Sequence, residues 1–256
     1  MERALSATVI ARRSGGAHTS RTIMLAEATE LFAAVPSDGS FAELRAAVVD
    51  ENVTGKNTLA GRLRTHRYLR EMYALDPAEI LYRALRDLWD LESADRPLLL
   101  VLCALARDPV LYGTLPAILE TSPGTPVSSA DLAAALEQSA PGAYSEVVAA
   151  KIGRNTAGTW AKTGHLHGRT NKIRATASPG PCAVAYALLL GHLDGARGEA
   201  LFETTWARVL DRPRNLLMEL ALRASQRGLI EYKAGGGVVE VGFRMLLRPF
   251  EGESGE

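Results

Sequence analysis

The sequence predicts a mostly α-helical protein, an array of helix-turn-helix or winged-helix-like units with short β-hairpin wings. Three observations lead there. Ala and Leu, the best helix formers, are abundant, while aromatic residues make up only 6%. Apolar residues recur at helical spacing in one segment after another, with Pro, Gly, Asp and Ser between them. The C-terminal region reads helix, Gly, strand, Gly turn, strand, the order in which a winged-helix domain ends. With 256 residues, 47% apolar and 23% charged, the chain has the composition of a folded protein long enough for two domains.

Residues 1–20 read as extended, with Gly15-Gly16 and Ser20 ahead of a helix at about 22–34. Asp38-Gly39-Ser40 supplies the N-cap of a helix at 41–52, since a Ser or Asp oxygen accepts the free N–H groups of a first turn, and Gly55 closes it. Residues 57–74 follow as a helix with Leu59, Leu63, Tyr68, Leu69 and Met72 as its apolar stripe. Asp76-Pro77 ends that helix and starts another at 78–91. Helices at about 95–107 and 110–120 complete an all-α first half. The apolar run at 97–106 falls short of the roughly 20 residues that span a bilayer, which makes it a core helix.

Thr121-Ser122-Pro123-Gly124-Thr125-Pro126 cannot continue a helix, and it divides an N-terminal helical domain, 1–122, from a C-terminal domain, 127–256. Ser128-Ser129 caps a helix at 130–138, and Pro141-Gly142 breaks the chain before a helix-turn-helix at 144–163. Gly153, four residues after the small Ala149, marks its turn. Strand-compatible residues alternating with basic ones extend this unit to about 176 as a short hairpin. Helices at about 182–193, 198–210 and 213–227 come next. Residues 229–233 and 238–243 flank Ala234-Gly235-Gly236-Gly237 and pair as an antiparallel hairpin, so that about 198–248 forms a winged-helix-like end. The tail from Glu251 is acidic, Gly-rich and frayed.

Charge is where function begins to show. The whole chain balances 29 Lys+Arg against 29 Asp+Glu. Yet no acidic residue stands between Glu146 and Asp194, while Lys151, Arg154, Lys162, Arg169, Lys172 and Arg174 do. A neutral protein that segregates charge in this way presents a local cationic surface, and the usual polyanion for such a surface is nucleic acid. Arg154, Asn155, Thr159 and Lys162 are types that bond phosphates and base edges, and on the second helix they would enter or flank the major groove. His165, His167, Arg169, Asn171, Lys172 and Arg174 would form a wing along the backbone. Lys151 is expected on the solvent side of the first helix, away from the duplex. One departure from the helix-turn-helix pattern stands out: Thr159 holds the place of an expected apolar residue, with Trp160 one position late. Trp160 is the only aromatic residue between Lys151 and Arg174 and should be buried between the two helices. A basic helical hairpin that packs internally is the alternative reading.

Lys56, Arg62, Arg64 and Arg67, with Arg70 and no acid until Glu71, form a second basic patch. These arginines do not share one helix face, so pairing with Glu79, Asp87, Asp90 and Glu92 stands beside DNA contact. In the C-terminal unit Arg212, Arg214, Arg223, Arg227, Lys233 and Arg244 are offset by Glu219, Glu231 and Glu240, and protein interaction stands beside DNA contact. His165-Leu166-His167 lacks the third ligand that zinc requires, so no metal is expected. Cys103 and Cys182 sit in apolar stretches and read as buried thiols. No Walker loop, dinucleotide-binding glycine motif, nucleophile elbow or His/Cys/carboxylate cluster appears, so neither enzymatic activity nor a cofactor is expected. No signal peptide stands out either, and the expectation is a cytoplasmic protein with no membrane partner.

The string Glu51-Asn52-Val53-Thr54-Gly55-Lys56-Asn57-Thr58, running into Arg62-Leu63-Arg64-Thr65-His66-Arg67-Tyr68-Leu69, resembles the N-terminal part of the BrxA-like proteins found with bacterial BREX phage-defence systems. The order of small helical units is similar as well, over about residues 20–120, whereas the section holding Trp160 and Gly164-His165-Leu166 has no counterpart there. The resemblance implies a non-enzymatic DNA-binding accessory protein of a defence locus. The expected partner is double-stranded DNA, with other proteins of a defence complex beside it and homo-oligomerisation left open. The alternatives are an adaptor that recruits a protein partner through winged-helix surfaces, a transcriptional regulator, or an RNA-binding helical protein.

Overall fold

The structure, a computed structural model, describes residues 16–249, so the expected extended stretch before Gly16 and the acidic tail from Glu251 lie outside the described residues. A 3-10 turn, Ala17–Thr19, leads into α1 (Leu25–Ala34), α2 (Phe41–Val49), α3 (Leu59–Tyr73) and α4 (Ile80–Trp89). Side-chain caps set two of these starts. Ser40 and Glu43 form a reciprocal capping box at α2, and Thr58 Oγ1 accepts the Gly61 N–H at α3. The second helix stops short of the expected residue 52 because Asn52 takes a left-handed φ of 58° and its side chain accepts the Lys56 N–H. Leu59 and Leu63, expected on the buried stripe of α3, are 54% and 44% exposed. The inward positions of those first turns go to Gly61 and Arg62, whose guanidinium reaches the Val49 carbonyl at 2.7 Å.

After a 3-10 turn at Ser93–Asp95 comes α5 (Arg96–Arg107), then α6 (Pro109–Gly113) and α7 (Leu115–Leu119). The single helix expected at 110–120 is broken in two because Pro116 has no N–H to give the Tyr112 carbonyl. The second half begins with α8 (Ser129–Ser139), opened by a capping box of Ser128 and Asp131, and α9 (Glu146–Lys162). It continues through β1 (Leu166–His167), β2 (Ile173–Arg174) and α10 (Pro181–Leu193). A 3-10 segment (Gly198–Glu203) and α11 (Thr205–Val209) replace the one helix expected at 198–210, and α12 (Arg214–Gln226) follows. The chain ends in β3 (Glu231–Gly235) and β4 (Val238–Gly242), which pair antiparallel with Gly235 opposite Val238. Gly236 and Gly237 make the tight turn with φ of 59° and 80°, as the flanking β-branched residues predict.

Among the described residues the larger hydrophobic core draws on positions from Ala17 to Leu246. Its axis is α5 and α10, whose residues 98–106 and 182–190 are all buried, and Tyr186 Oη on α10 donates to the Leu81 carbonyl of α4. Burial pushes the Cys103 and Cys182 thiols up to about 11. The segment 121–126, where the sequence places its domain boundary, does not interrupt this core. Asp95, ahead of it, accepts the Gly180 and Ala183 N–H groups at 2.6 and 3.0 Å and so caps α10, beyond it. Among the described residues no helix is long and apolar enough to cross a membrane.

Trp160 is fully buried, its Nε1 donating to Thr114 Oγ1 at 3.0 Å and its ring meeting His165 edge-on at 5.0 Å. Trp160→Ala should therefore lower stability by about 3–5 kcal/mol. Urea or thermal unfolding reads this directly, and a variant that melts like the wild type would show that the ring supports nothing.

Candidate nucleic-acid interface

The basic window is organised around the crossing of α8 and α9. Gly153, expected to make the turn of a helix-turn-helix, instead lies inside α9, which is unbroken over 17 residues. Glycine is needed there for a different reason. A Cβ at Gly153 would stand 2.0 Å from the Ser129 carbonyl oxygen, so its absence lets the two helices touch. The turn lies at 140–145, where Gly142 takes φ of 70° and donates its N–H to Glu137. Val110, Leu136 and Ile152, with Tyr144 against them, fill the angle between α6, α8 and α9. The helix pair is thus α8 and α9, not two halves of α9.

A small hairpin follows, with Leu166 opposite Arg174 and His167 opposite Ile173, leaving 168–172 as its loop. Residues 124–127 add a third extended segment on the other side of β2. Pro126 bridges Ile173, and Gly124 and Val127 donate N–H groups to the Arg174 and Lys172 carbonyls at 2.8 and 2.9 Å. β2 is therefore central, and the supposed linker belongs to this unit.

The six cations of the window separate into distinct roles. Lys151, Arg154 and Arg169 are exposed and have no hydrogen-bond or ion-pair partner among the described residues. Lys172 is half-buried, with Nζ donating to the Gly168 carbonyl at 3.2 Å. Lys162 is exposed, and its Nζ donates to Thr22 Oγ1 at 3.1 Å. Arg174, expected on the wing, is only 2% exposed. Its guanidinium grips Asp211 through two parallel bonds of 2.7 and 2.9 Å, donates Nε–H to the Ile118 carbonyl at 2.8 Å and reaches the Ala175 carbonyl. Buried and paired in this way, it is out of reach of a phosphate.

Three other expected contacts also have internal partners. His165 is buried, and its Nε2–H donates to the Val209 carbonyl at 2.8 Å while Nδ1 accepts from the Thr163 hydroxyl at 2.9 Å. Burial pushes its imidazole down to about 4, with the Arg174 charge adding to the effect against the pull of Val209 and Asp211. Thr159 is buried too. Its Oγ1 accepts the Ile23 N–H at 3.0 Å and lies 2.9 Å from His18 Nε2. His18 Nδ1 in turn stands 2.8 Å from Asp108 Oδ2. Asn155 is half-buried and donates Nδ2–H to the His18 carbonyl at 2.9 Å.

Thr159 and Asn155 share one cause. The segment 16–24 lies along the C-terminal half of α9 and covers the face that the sequence assigns to DNA; even Gly158 has Thr22 against it. A carboxylate–imidazole–hydroxyl line such as Asp108–His18–Thr159 is the arrangement that activates a nucleophile elsewhere. Here neither His18 nor Thr159 has any exposed surface, and the line acts as a clamp. Burial alone would raise the Asp108 carboxyl, but His18 and the Leu111 N–H hold it below its usual value.

What remains open on α9 is its N-terminal half: Glu146, Val147, Val148, Ala150, Lys151 and Arg154. Lys151, expected away from the duplex, shares a face with Arg154 one turn on. The hairpin adds His167, Arg169 and Asn171, all exposed. The sequence carries a signal for this face, since Ile152, Thr156, Trp160 and Thr163 mark the inward side and leave 147, 150, 151 and 154 outward.

The second patch is mostly spent inside the molecule. Lys56 pairs with Glu27 at 2.8 Å, Arg62 caps α2, and Arg67 lies over the Tyr68 ring and near Glu71. Arg64 alone of the four is exposed without a partner among the described residues. The carboxylates expected to pair here go elsewhere: Asp87 to Arg248, Asp90 to Arg96 and Glu92 to Arg227. Arg67, Arg70 and Arg107 line a cleft together with Glu71, Asp76 and Glu79, a balanced set with no net attraction for a polyanion. In the C-terminal unit Arg214 bonds Glu199 and Glu203, and Arg244 lies beside Glu231. The exposed side of α12 carries Asn215, Glu219, Leu222, Arg223 and Gln226.

Among the described residues no group of three or more His, Cys, Asp or Glu stands together as a metal site. Compared with known proteins, the chain matches no family model, no curated protein and no solved structure.

Two stability measurements test this site. Asp211→Asn keeps a residue that tolerates the left-handed φ of 59° but leaves the Arg174 charge uncompensated. It should cost about 3 kcal/mol, the low end for breaking a buried pair, whereas Arg169→Ala should change stability by about 0.5 kcal/mol or less; equal effects would refute the division of roles. His165 sets the pH dependence. Unfolded, it takes up a proton near its ordinary 6.5, and folded, only near 4, so stability is full above 6.5 and falls as pH drops towards 4. The loss should reach about 3 kcal/mol, and His165→Gln should flatten that limb of the stability–pH curve.

Proposed function

We propose that this chain is a non-enzymatic, double-stranded DNA-binding protein. In this reading residues 109–174 form a winged-helix unit, with α9 as recognition helix and loop 168–172 as wing. The element order supports it: helix, extended segment, helix, helix, hairpin, with 124–127, β2 and β1 side by side. The observation that carries it is the set of free cations. Lys151, Arg154 and Arg169 stand exposed and unpaired on a stretch with no carboxylate from 147 to 193. Elsewhere Arg67, Arg96, Arg214, Arg227 and Arg248 each have an acidic partner, and Arg64 and Arg223, exposed without one, lie on stretches that also carry carboxylates. A surface of uncompensated like charges repels itself until a polyanion meets it. A helix presented beside a hairpin fits the wide major groove of B-form DNA better than the deep, narrow one of A-form RNA.

The resemblance to BrxA-like proteins would place such a protein at a phage-defence locus as an accessory component; a transcriptional regulator would use the same surface. The C-terminal unit favours a different partner. Arg214 and Arg244 there are paired with carboxylates, while Leu222 and Val238 are 47% and 60% exposed, which suits contact with another protein. A chain that used only this unit would be an adaptor.

Four cations remain for phosphate: Lys151, Arg154, Arg169 and Lys172. Each contact releases counterions, so log K should fall with log[salt] at a slope of about −3 to −4. Changing Arg169 and Lys172 together to Ala should flatten that slope by about 2 with little change in melting temperature, because Arg169 is exposed and Lys172 bonds only the Gly168 carbonyl of its own loop. A salt-independent affinity, or a double variant that binds as tightly as the wild type, would replace the DNA reading with the adaptor.

A further inference from the structure

The first turns of α9 carry an apolar surface that the fold does not use. Val147 is 80% exposed and Val148 38%, and Ala150 is exposed on the next turn. The free cations Lys151 and Arg154 follow on the same side. Duplex DNA offers one apolar group in its major groove, the C5-methyl of thymine; every other feature of the base edges there is a polar donor or acceptor. Glu146, exposed at the start of the helix, bears on the same point. A carboxylate in the first turn suits the helix dipole, is repelled by phosphate and accepts from the amino group of cytosine, so Glu146 is compatible with base edges there but not with backbone.

Resting on duplex binding by α9, we propose that its first two turns read thymine-containing sequence. Val147 and Ala150 pack on thymine methyl groups, and Lys151 and Arg154 bond the guanine edges or phosphates beside them. Val147 and Arg154 are seven residues apart, about 10 Å along the helix, which matches roughly three base-pair steps. The residues that set sequence preference are then those of the N-terminal half. Asn155 and Thr159, held by the segment 16–24, take no part in it.

The test compares duplexes enriched from a random pool by the wild-type protein, each made once with thymine and once with uracil, which differ only by the methyl group. Enriched duplexes should share thymine at one position or more, and uracil there should weaken binding about fourfold, the worth of one buried methyl. Val147→Ser, which should melt like the wild type because the side chain is exposed, should bind the two forms within about twofold of each other and keep the wild-type salt slope. Salt-dependent wild-type binding that ignores the methyl, or a Val147→Ser protein that keeps the full preference, overturns thymine reading and leaves DNA binding standing. No duplex binding at all overturns both, and gives the exposed valines to a protein partner.

Discussion

The bidentate pair between Arg174 and Asp211 is the joint on which the arrangement of the C-terminal half depends. Taking two charges out of water is costly, and an apolar pair of equal volume would often be as stable. What the ion pair adds is direction. Arg174 sits on the central strand of the small hairpin, Ile118 closes α7, and Asp211 occupies the left-handed turn between α11 and α12. One planar guanidinium with donors on three nitrogens fixes all three segments at once. Asp211 also accepts the Ala177 N–H at 3.1 Å, which ties the stretch before α10 to the same point. The small hairpin, α7 and the turn before α12 are therefore oriented through a single side chain, and the carboxylate for it comes from outside the acid-free window.

A second constraint works on α9. The segment 16–24, anchored by His18 between Asp108 and Thr159, grips the C-terminal half of this helix and leaves the N-terminal half projecting. The projecting part rests on α8 at Gly153. A partner therefore meets a helix already held in place, with little ordering left to oppose binding.

Much of the fold was legible in the sequence where the cause is local. The Ser40 and Ser128 caps, the Gly236-Gly237 turn and the long apolar runs of α5 and α10 act within a few residues, and each element lies near its expected place. The candidate site was less legible because its causes are remote. A glycine that makes a turn and one that lets two helices touch look the same in a sequence; only the Ser129 carbonyl decides for Gly153. Arg169 and Arg174 are the same residue type five positions apart, and what separates a surface cation from a buried joint is an aspartate 37 residues downstream. Thr159 and Asn155 read as contact residues until His18, some 140 positions upstream, is folded over them. Leu59 and Leu63 fit a buried stripe by spacing, yet Arg62 takes the inward place by finding the carbonyls at the end of α2.

The reach of Arg174 also orders events in time. Its partners lie 56 residues behind it and 37 ahead. A chain emerging from its N-terminus can form α8, α9 and the hairpin before residue 211 is available. Until then the guanidinium has only carbonyl partners and no counter-charge, and burying it is costly. The strand pairing of 124–127 with β2 must stay loose or leave that arginine in water during this interval. The first unit thus cannot mature on its own and wait for the second. It locks only when the turn before α12 arrives, so a later stretch of chain completes an earlier one.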